Sequence, residues 1–322
     1  MSTSVLLPFM PVSGKQVLPF ADLVRKGKAV RLWTGQSLLV EPYTALAYAA
    51  GAGARIPMGT SVTLMPLCHP FQAALQARSL AALTGQPVVA GLGTGPQPFV
   101  RALRGQAYAS PLTAVREYAS TVRGLLAGDR VDLHGEYHAM SGTLTAMETP
   151  PVELGLGVLR PRMAELAGEL ADVAITWLTP PSYLAEVIIP ALAAGAERAG
   201  RPRPRVTSVV HVSLDAPDRD HLQVVAAASH AHLRAPHYAD MLRRAGVETD
   251  PDDLVKSAAR LVDSGTAAVG GAGEVLRAVS AYRDAGADEV VLSTIGIQAV
   301  DGTRASLEAL DILTDARRTA DA

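Results

Sequence analysis

Short runs of β-branched and aliphatic residues, bounded by glycine, proline and polar turns, alternate along this chain with longer Ala/Leu-rich stretches. That alternation predicts repeated strand-crossover-strand units and a parallel sheet. The runs at 4–9, 29–33, 57–64, 87–91, 152–156, 171–177, 205–214 and 289–293 predict strands. The stretches at 41–50, 70–84, 112–126, 161–170, 182–199 and 274–285 predict helices, several with proline in the first turn and glycine after the last. Eight strands with outer helices in about 300 residues predict an α/β fold of the (β/α)8 TIM barrel type rather than an open sheet.

Two stretches exceed a minimal barrel. Residues 130–143 (RVDLHGEYHAMSGT) alternate polar and apolar positions around a central Gly-Glu and predict an inserted β-hairpin. Residues 218–265 hold two helical patterns, 221–244 and 252–263, where one crossover helix would suffice. The expectation is one barrel domain over 1–322 with insertions near 95–145 and 218–265. Loops after the strands build the active site of such a barrel, so an insertion there is expected to cover a substrate.

Composition narrows the function. With 48% hydrophobic and 19% charged residues the chain closes a large core. Its 29 Lys and Arg against 31 Asp and Glu leave a net charge of −2, which gives no field for nucleic acid or an anionic membrane surface. Cys68 is the single cysteine, so neither an intramolecular disulfide nor a multi-thiolate zinc site forms, and the reducing cytoplasm is the expected compartment. No uninterrupted apolar run reaches the roughly 18 residues of a membrane span.

Three stretches carry candidate chemistry. Residues 91–95 (GLGTG) follow the fourth predicted strand, where glycines permit either a sharp turn or close approach of backbone to a flat ring or phosphate. Pro96 and Pro98 follow, which separates this stretch from the dinucleotide fingerprint. Residues 59–70 (GTSVTLMPLCHP) lead a β-branched strand through a proline loop into a helix, and His69 reads as a helix-entry residue. Residues 155–163 (GLGVLRPRM) place Arg160 and Arg162 at a helix start, which suits either an anionic group or a solvated helix end. His134, Glu136 and His138 stand two apart, but the hairpin pattern around Gly135 predicts an exposed face rather than a metal centre. His230, His232 and His237 read as surface or lid residues, and no metal is expected.

The segments RIPMGTSVTLMPLCHPFQAALQARSLAALTGQPVVAGLGTG, PPVELGLGVLRPRMAELAGELADVAITW and AAVGGAGEVLRAVSAYRDAGADEVVLS, in that order and spacing, resemble the bacterial luciferase-like superfamily of flavin- and deazaflavin-dependent oxidoreductases. The likeness covers nearly the whole chain. It implies a barrel with inserted segments, a homodimer, and FMN or coenzyme F420 bound at the C-terminal mouth. It further implies that Ser61, Val62 and Thr63 form a strand-end bulge behind the ring. Gly91, Gly93 and Thr94 would line the cofactor, and Gly157, Val158, Leu159 and Arg160 would meet its phosphate-bearing tail. Trp33 and Trp177 are both placed near this pocket, Trp33 with the catalytic residues and Trp177 with the cofactor.

One departure bears on the chemistry. Many deazaflavin-dependent relatives carry an Asp-His pair shortly after the Trp of the second strand, where this chain reads Trp33-Thr34-Gly35-Gln36. A glutamine donates a hydrogen bond but supplies no proton as a general acid. Reduction of a polarised double bond therefore fits better than alcohol oxidation, with Gln36 stabilising the enolate-like charge and water or Tyr108 giving the proton. The stretch 30–63 is similar to luciferase-like enzymes of modified-peptide biosynthesis, which points to a small-molecule or peptide substrate such as a dehydroamino acid. The alternatives are an FMN-dependent monooxygenase and a non-catalytic barrel that binds a flavin or a protein partner.

Overall fold

Each of the eight apolar runs becomes a strand in the computed structural model, which describes residues 2–320. Positions 1, 321 and 322 of the expected unit lie outside the described residues. The strands are β1 (Ser2–Leu6), β2 (Leu32–Thr34), β3 (Met58–Thr60), β4 (Val88–Gly93), β5 (Val152–Gly157), β6 (Val173–Trp177), β7 (Arg205–Leu214) and β8 (Glu289–Ser293). All neighbours run parallel, and the β8–β1 pairing closes the ring. Two short strands extend it at the C-terminal end: Thr63–Leu64 beside β4, and Ala267–Gly270 beside the outer half of β7.

Period-two alternation sorts each strand into a helix-facing and a barrel-facing set. The barrel-facing set includes Leu6, Trp33, Val89, Val173, Ile175, Val209 and Val291, an apolar plug distinct from the larger core beneath the helices. Glycines make room for the large members: a Cβ on Gly59 would lie 2.7 Å from the Trp33 ring, and one on Gly155 would lie 2.9 Å from Ile175. Below the plug the Glu289 carboxylate accepts from Ser4 Oγ at 2.5 Å and Trp33 Nε1 at 2.7 Å, with Arg31 at 3.8 Å. A carboxylate is buried in a barrel only with such partners.

Helices cover the outside. Pro70–Thr84 is entered as expected at His69, whose Nδ1 accepts from the Phe71 N–H at 3.2 Å, and it ends on left-handed Gly85. Pro161–Leu170 matches its expected bounds. The stretch expected as one helix over 182–199 contains a π turn at Leu184–Ile188, just ahead of Pro190, which has no N–H to continue the ladder. Helices Leu18–Arg25, Gln97–Arg104 and the long Ile295–Ala320, kinked at Gly302, were not anticipated.

Val131–His134 pairs antiparallel with Ala139–Gly142. His134 and Glu136 are exposed, but His138 turns inward against Tyr118, so the three do not share a face. After β7 the helical pattern expected over 221–244 divides at Pro236 into His221–Leu233 and Pro236–Arg244, followed by Leu254–Asp263. Among the described residues no group of three or more His, Cys, Asp or Glu is placed to hold a metal, and no helix is long and apolar enough to cross a membrane.

Candidate active site at the barrel mouth

The C-terminal end of β3 departs from regular strand geometry at a cis peptide between Ser61 and Val62. The detour is pinned from four sides. Ser61 N–H donates to the Thr34 carbonyl at 2.8 Å, and the Ser61 carbonyl accepts from Trp177 Nε1 at 3.0 Å. Thr63 Oγ1 donates to the Gly91 carbonyl at 3.0 Å, and Leu64 N–H donates to Gln36 Oε1 at 2.9 Å. The Val62 side chain sits on the glycines of two neighbouring strands: a Cβ on Gly93 would lie 2.6 Å from Val62 Cγ2, and one on Gly157 would lie 3.5 Å from Cγ1. The paired Gly-x-Gly strand ends thus form a seat for Val62, and the bulge presents a short apolar wall at the mouth.

Beyond this wall lies an arc of rings. Trp177 and Ser293 end the barrel-facing rows of β6 and β8, His211 stands in that of β7 ahead of Ser213, and His211 Nδ1 is 2.9 Å from Ser293 Oγ. Trp177 and His211 meet edge to face, with centroids 5.9 Å apart. From the inserted helices His232 stacks on Trp177 at 5.2 Å, Tyr238 meets His232 at 4.7 Å, and His237 meets Tyr238 at 4.8 Å. The helices after β7 thus bring His232 and Tyr238 to the Trp177 side of the barrel. Burial pushes His211 down to about 3 and His232 down to about 4, so both are neutral imidazoles at neutral pH.

The side of the mouth after β5 is cationic. Arg160 is the N-cap of Pro161–Leu170 and offers no side-chain acceptor to the first-turn N–H groups. Its Nε is 3.0 Å from Asp240, which also holds Arg243 and Arg244. The Tyr183 hydroxyl, within the field of Arg160, Arg244 and Asp240, is buried without a partner.

The structure redistributes the sequence-based assignments. Ser61, Val62, Thr63, Gly93, Gly157 and Trp177 converge at the bulge; Thr94, Leu159 and Arg160 lie at the adjoining strand ends. Val158 faces the core, and its N–H donates to the Ile175 carbonyl, so it offers no free donor to a tail. Gly91 is corrected to a packing position: its missing Cβ faces the Thr60 carbonyl and Ile175, and its N–H and carbonyl are both engaged by Thr60. Trp33 is likewise removed from the mouth, being 0% exposed inside the plug with its N–H on Glu289. Gln36 braces the bulge, its Nε2 donating to the Ser37 carbonyl. Tyr108 lies under the hairpin, where Arg104, Tyr137 and His138 surround its ring, so its setting does not carry the proton-donor role. Burial raises the Cys68 thiol, in keeping with an unreactive cysteine. His211 and Ser293 were missed, although a polar residue two positions past Val209 in a barrel-facing row was a legible signal.

The family model described as luciferase-like monooxygenase matches residues 15–289, and the chain belongs to that family. A 5,10-methylenetetrahydromethanopterin reductase from Methanolobus tindarius is 33% identical over 178 residues, 54% of this chain and 52% of the relative. The chain spans about half the length of that curated relative. The structure of a coenzyme F420-dependent tetrahydromethanopterin reductase from Methanopyrus kandleri superposes with a TM-score of 0.71 at 18% identity, covering 92% of this chain and 96% of that one. A monooxygenase from Streptomyces bottropensis gives 0.74 at 17% identity with both chains fully covered. These two structural likenesses bear on the barrel fold.

Proposed function

We propose that this chain is a coenzyme F420-dependent oxidoreductase, and specifically a reductase that delivers hydride to a polarised double bond in a small molecule or modified peptide. The observation that carries this reading is the Val62 wall: an apolar side chain seated on Gly93 and Gly157, with its peptide anchored by Trp177. A flat, largely uncharged ring system finds there an apolar backing free of side-chain charge. Arg160, the uncapped start of Pro161–Leu170 and the unpartnered Tyr183 hydroxyl fit an anionic tail. The Methanopyrus kandleri reductase, which is named as coenzyme F420-dependent and shares the barrel, supports the same cofactor.

When bound, reduced coenzyme F420 would supply a hydride, and water the proton that completes the reduction. The protein's contribution is orientation and exclusion of water. The Ser61–Thr63 bulge fixes one face of the pocket, Gln36 and Trp177 hold the bulge, and the inserted helices close the rings of His232 and Tyr238 over the mouth. The site residues of this proposal are Ser61, Val62, Thr63, Gly93, Thr94, Gly157, Leu159, Arg160 and Trp177. The homodimer implied by the family resemblance belongs to it too, and light scattering tests it.

The test is a fluorescence titration with coenzyme F420 and with FMN, each oxidised and reduced, in the wild type and in Trp177→Phe. Saturable quenching by coenzyme F420 that shrinks in Trp177→Phe is expected. Preference for reduced FMN would replace this reading with the monooxygenase, and binding of neither would leave a non-catalytic barrel. A dehydroamino acid peptide and a simple enone are the first substrates to try.

A further inference from the structure

His211 Nε2 is buried with no hydrogen-bond partner, and the nearby His232 Nδ1 makes no well-formed hydrogen bond, the Ala228 carbonyl one turn back on its own helix being the backbone group beside that ring. They belong to rings with centroids 6.2 Å apart, one on the outer half of β7 and the other on the helix His221–Leu233. Native proteins leave few buried polar atoms unpaired, and His211 Nε2 beside the His232 ring marks the position of a missing polar atom. Trp177, stacked on one ring and edge-on to the other, bounds the position on the side of the Ser61 carbonyl. The rings that frame it, Trp177, His211, His232 and Tyr238, carry no charge at neutral pH.

We infer that His211 and His232 hold the carbonyl oxygen of an uncharged substrate, His211 donating through Nε2–H from the barrel and His232 closing on the same oxygen from the inserted helix. The inference rests on the reading of the mouth as a hydride-transfer site and names its substrate class: a neutral carbonyl conjugated to the bond that is reduced. This contact takes the tautomer in which the Ser293 hydroxyl, 2.9 Å from His211 Nδ1, donates to that nitrogen, which leaves the single ring proton of His211 on Nε2. A neutral imidazole polarises a carbonyl without the cost of a buried cation. A carboxylate-bearing substrate would meet no cation among these rings and is disfavoured there. His232 makes the contact only with the inserted helix closed, so the site is completed by its cover.

The probe is 4-(dimethylamino)cinnamaldehyde, whose absorption moves to longer wavelength when its carbonyl oxygen accepts a strong hydrogen bond. It is titrated into the full chain alone and into the chain with oxidised coenzyme F420, where no turnover occurs. A saturable red shift is expected in the wild type. In His211→Phe the shift is lost and affinity falls about tenfold or more, the equivalent of one good hydrogen bond. His211→Asn, which keeps an N–H, retains part of the shift, and His232→Phe, which keeps the stack on Trp177, reduces it. Thermal melting verifies that each variant is folded, and His211→Asn with His232→Phe decide the matter should His211→Phe not fold. No shift in the wild type, or an equal shift in folded His211 variants, overturns the inference. If coenzyme F420 fails to bind while the His211-dependent shift persists, the cofactor reading falls and the carbonyl site stands; the reverse pattern removes only the carbonyl site.

Discussion

Adding one methyl group at Gly93 tests the seat of Val62 and with it the wall of the pocket. A Cβ there would stand 2.6 Å from Val62 Cγ2, whereas carbon atoms rest at about 3.5 to 4.0 Å, so one of them must give by about 1 Å. Gly93 ends a strand paired on both sides, and the Val62 side chain is half-buried, so Val62 moves. Overpacking of this kind costs about 1 to 3 kcal/mol. Displacement of Val62 into the pocket transfers that cost to the bound ring, a loss of roughly 5- to 150-fold in cofactor affinity. Gly157→Ala is the control: its Cβ meets Val62 Cγ1 at 3.5 Å and the Leu92 carbonyl at 3.6 Å, both ordinary contacts, and affinity stays within about twofold. In Gly93→Ala/Val62→Ala the nearest Val62 atom to the new methyl is Cβ at 3.7 Å, so the double variant binds no worse than Val62→Ala alone. The assay is titration of coenzyme F420 into all four variants and the wild type, with melting temperatures in parallel. Wild-type affinity in a folded Gly93→Ala protein, or equal losses in Gly93→Ala and Gly157→Ala, would refute the seat.

Four further outcomes follow from the same geometry. Trp177→Phe leaves the Ser61 carbonyl without its donor and lowers cofactor affinity by about 1 to 3 kcal/mol, measured by calorimetry; an unchanged constant would separate Trp177 from the wall. Arg160→Ala weakens binding and flattens its salt dependence, whereas Asp240→Asn, which frees Arg160, Arg243 and Arg244 from their shared carboxylate, does not weaken it; titrations at two ionic strengths decide. Gln36→Ala removes the acceptor of Leu64 N–H and lowers cofactor affinity together with turnover; lost turnover at full affinity would restore Gln36 to the chemistry. His211 and His232 titrate at about 3 and about 4 when folded, below the roughly 6.5 of an exposed imidazole, so the unfolded chain takes up more protons. Their contribution is full above pH of about 6.5 and is lost as pH falls toward 4, about 2 kcal/mol each by pH 5. Urea midpoints at pH 7 and 5 differ less in His211→Phe than in the wild type, and an equal difference would contradict the burial argument.

Hydrophobic alternation determined the barrel, because a parallel strand buried on both sides must be written as a short apolar run whatever its neighbours are. Helix entries were equally legible, since Pro70, Pro161 and their preceding residues act within a single turn. The bulge segment, the Gly-x-Gly strand ends and Arg160 could be marked in the sequence, because glycine, proline and charge patterns are local. What each of them faces was decided by tertiary structure. Gly91 and Gly93 stand two apart on one strand, yet one packs against Ile175 and the other seats Val62 from a different strand. Trp33 and Trp177 are the same residue type at the same kind of position, but the stagger of the barrel sinks one into the plug and raises the other to the mouth. The pairing of His211 with Ser293 and the approach of His232 join residues 82 and 21 positions from His211. No periodicity encodes such contacts, because they arise only when strand register and helix packing bring distant side chains within a few ångströms.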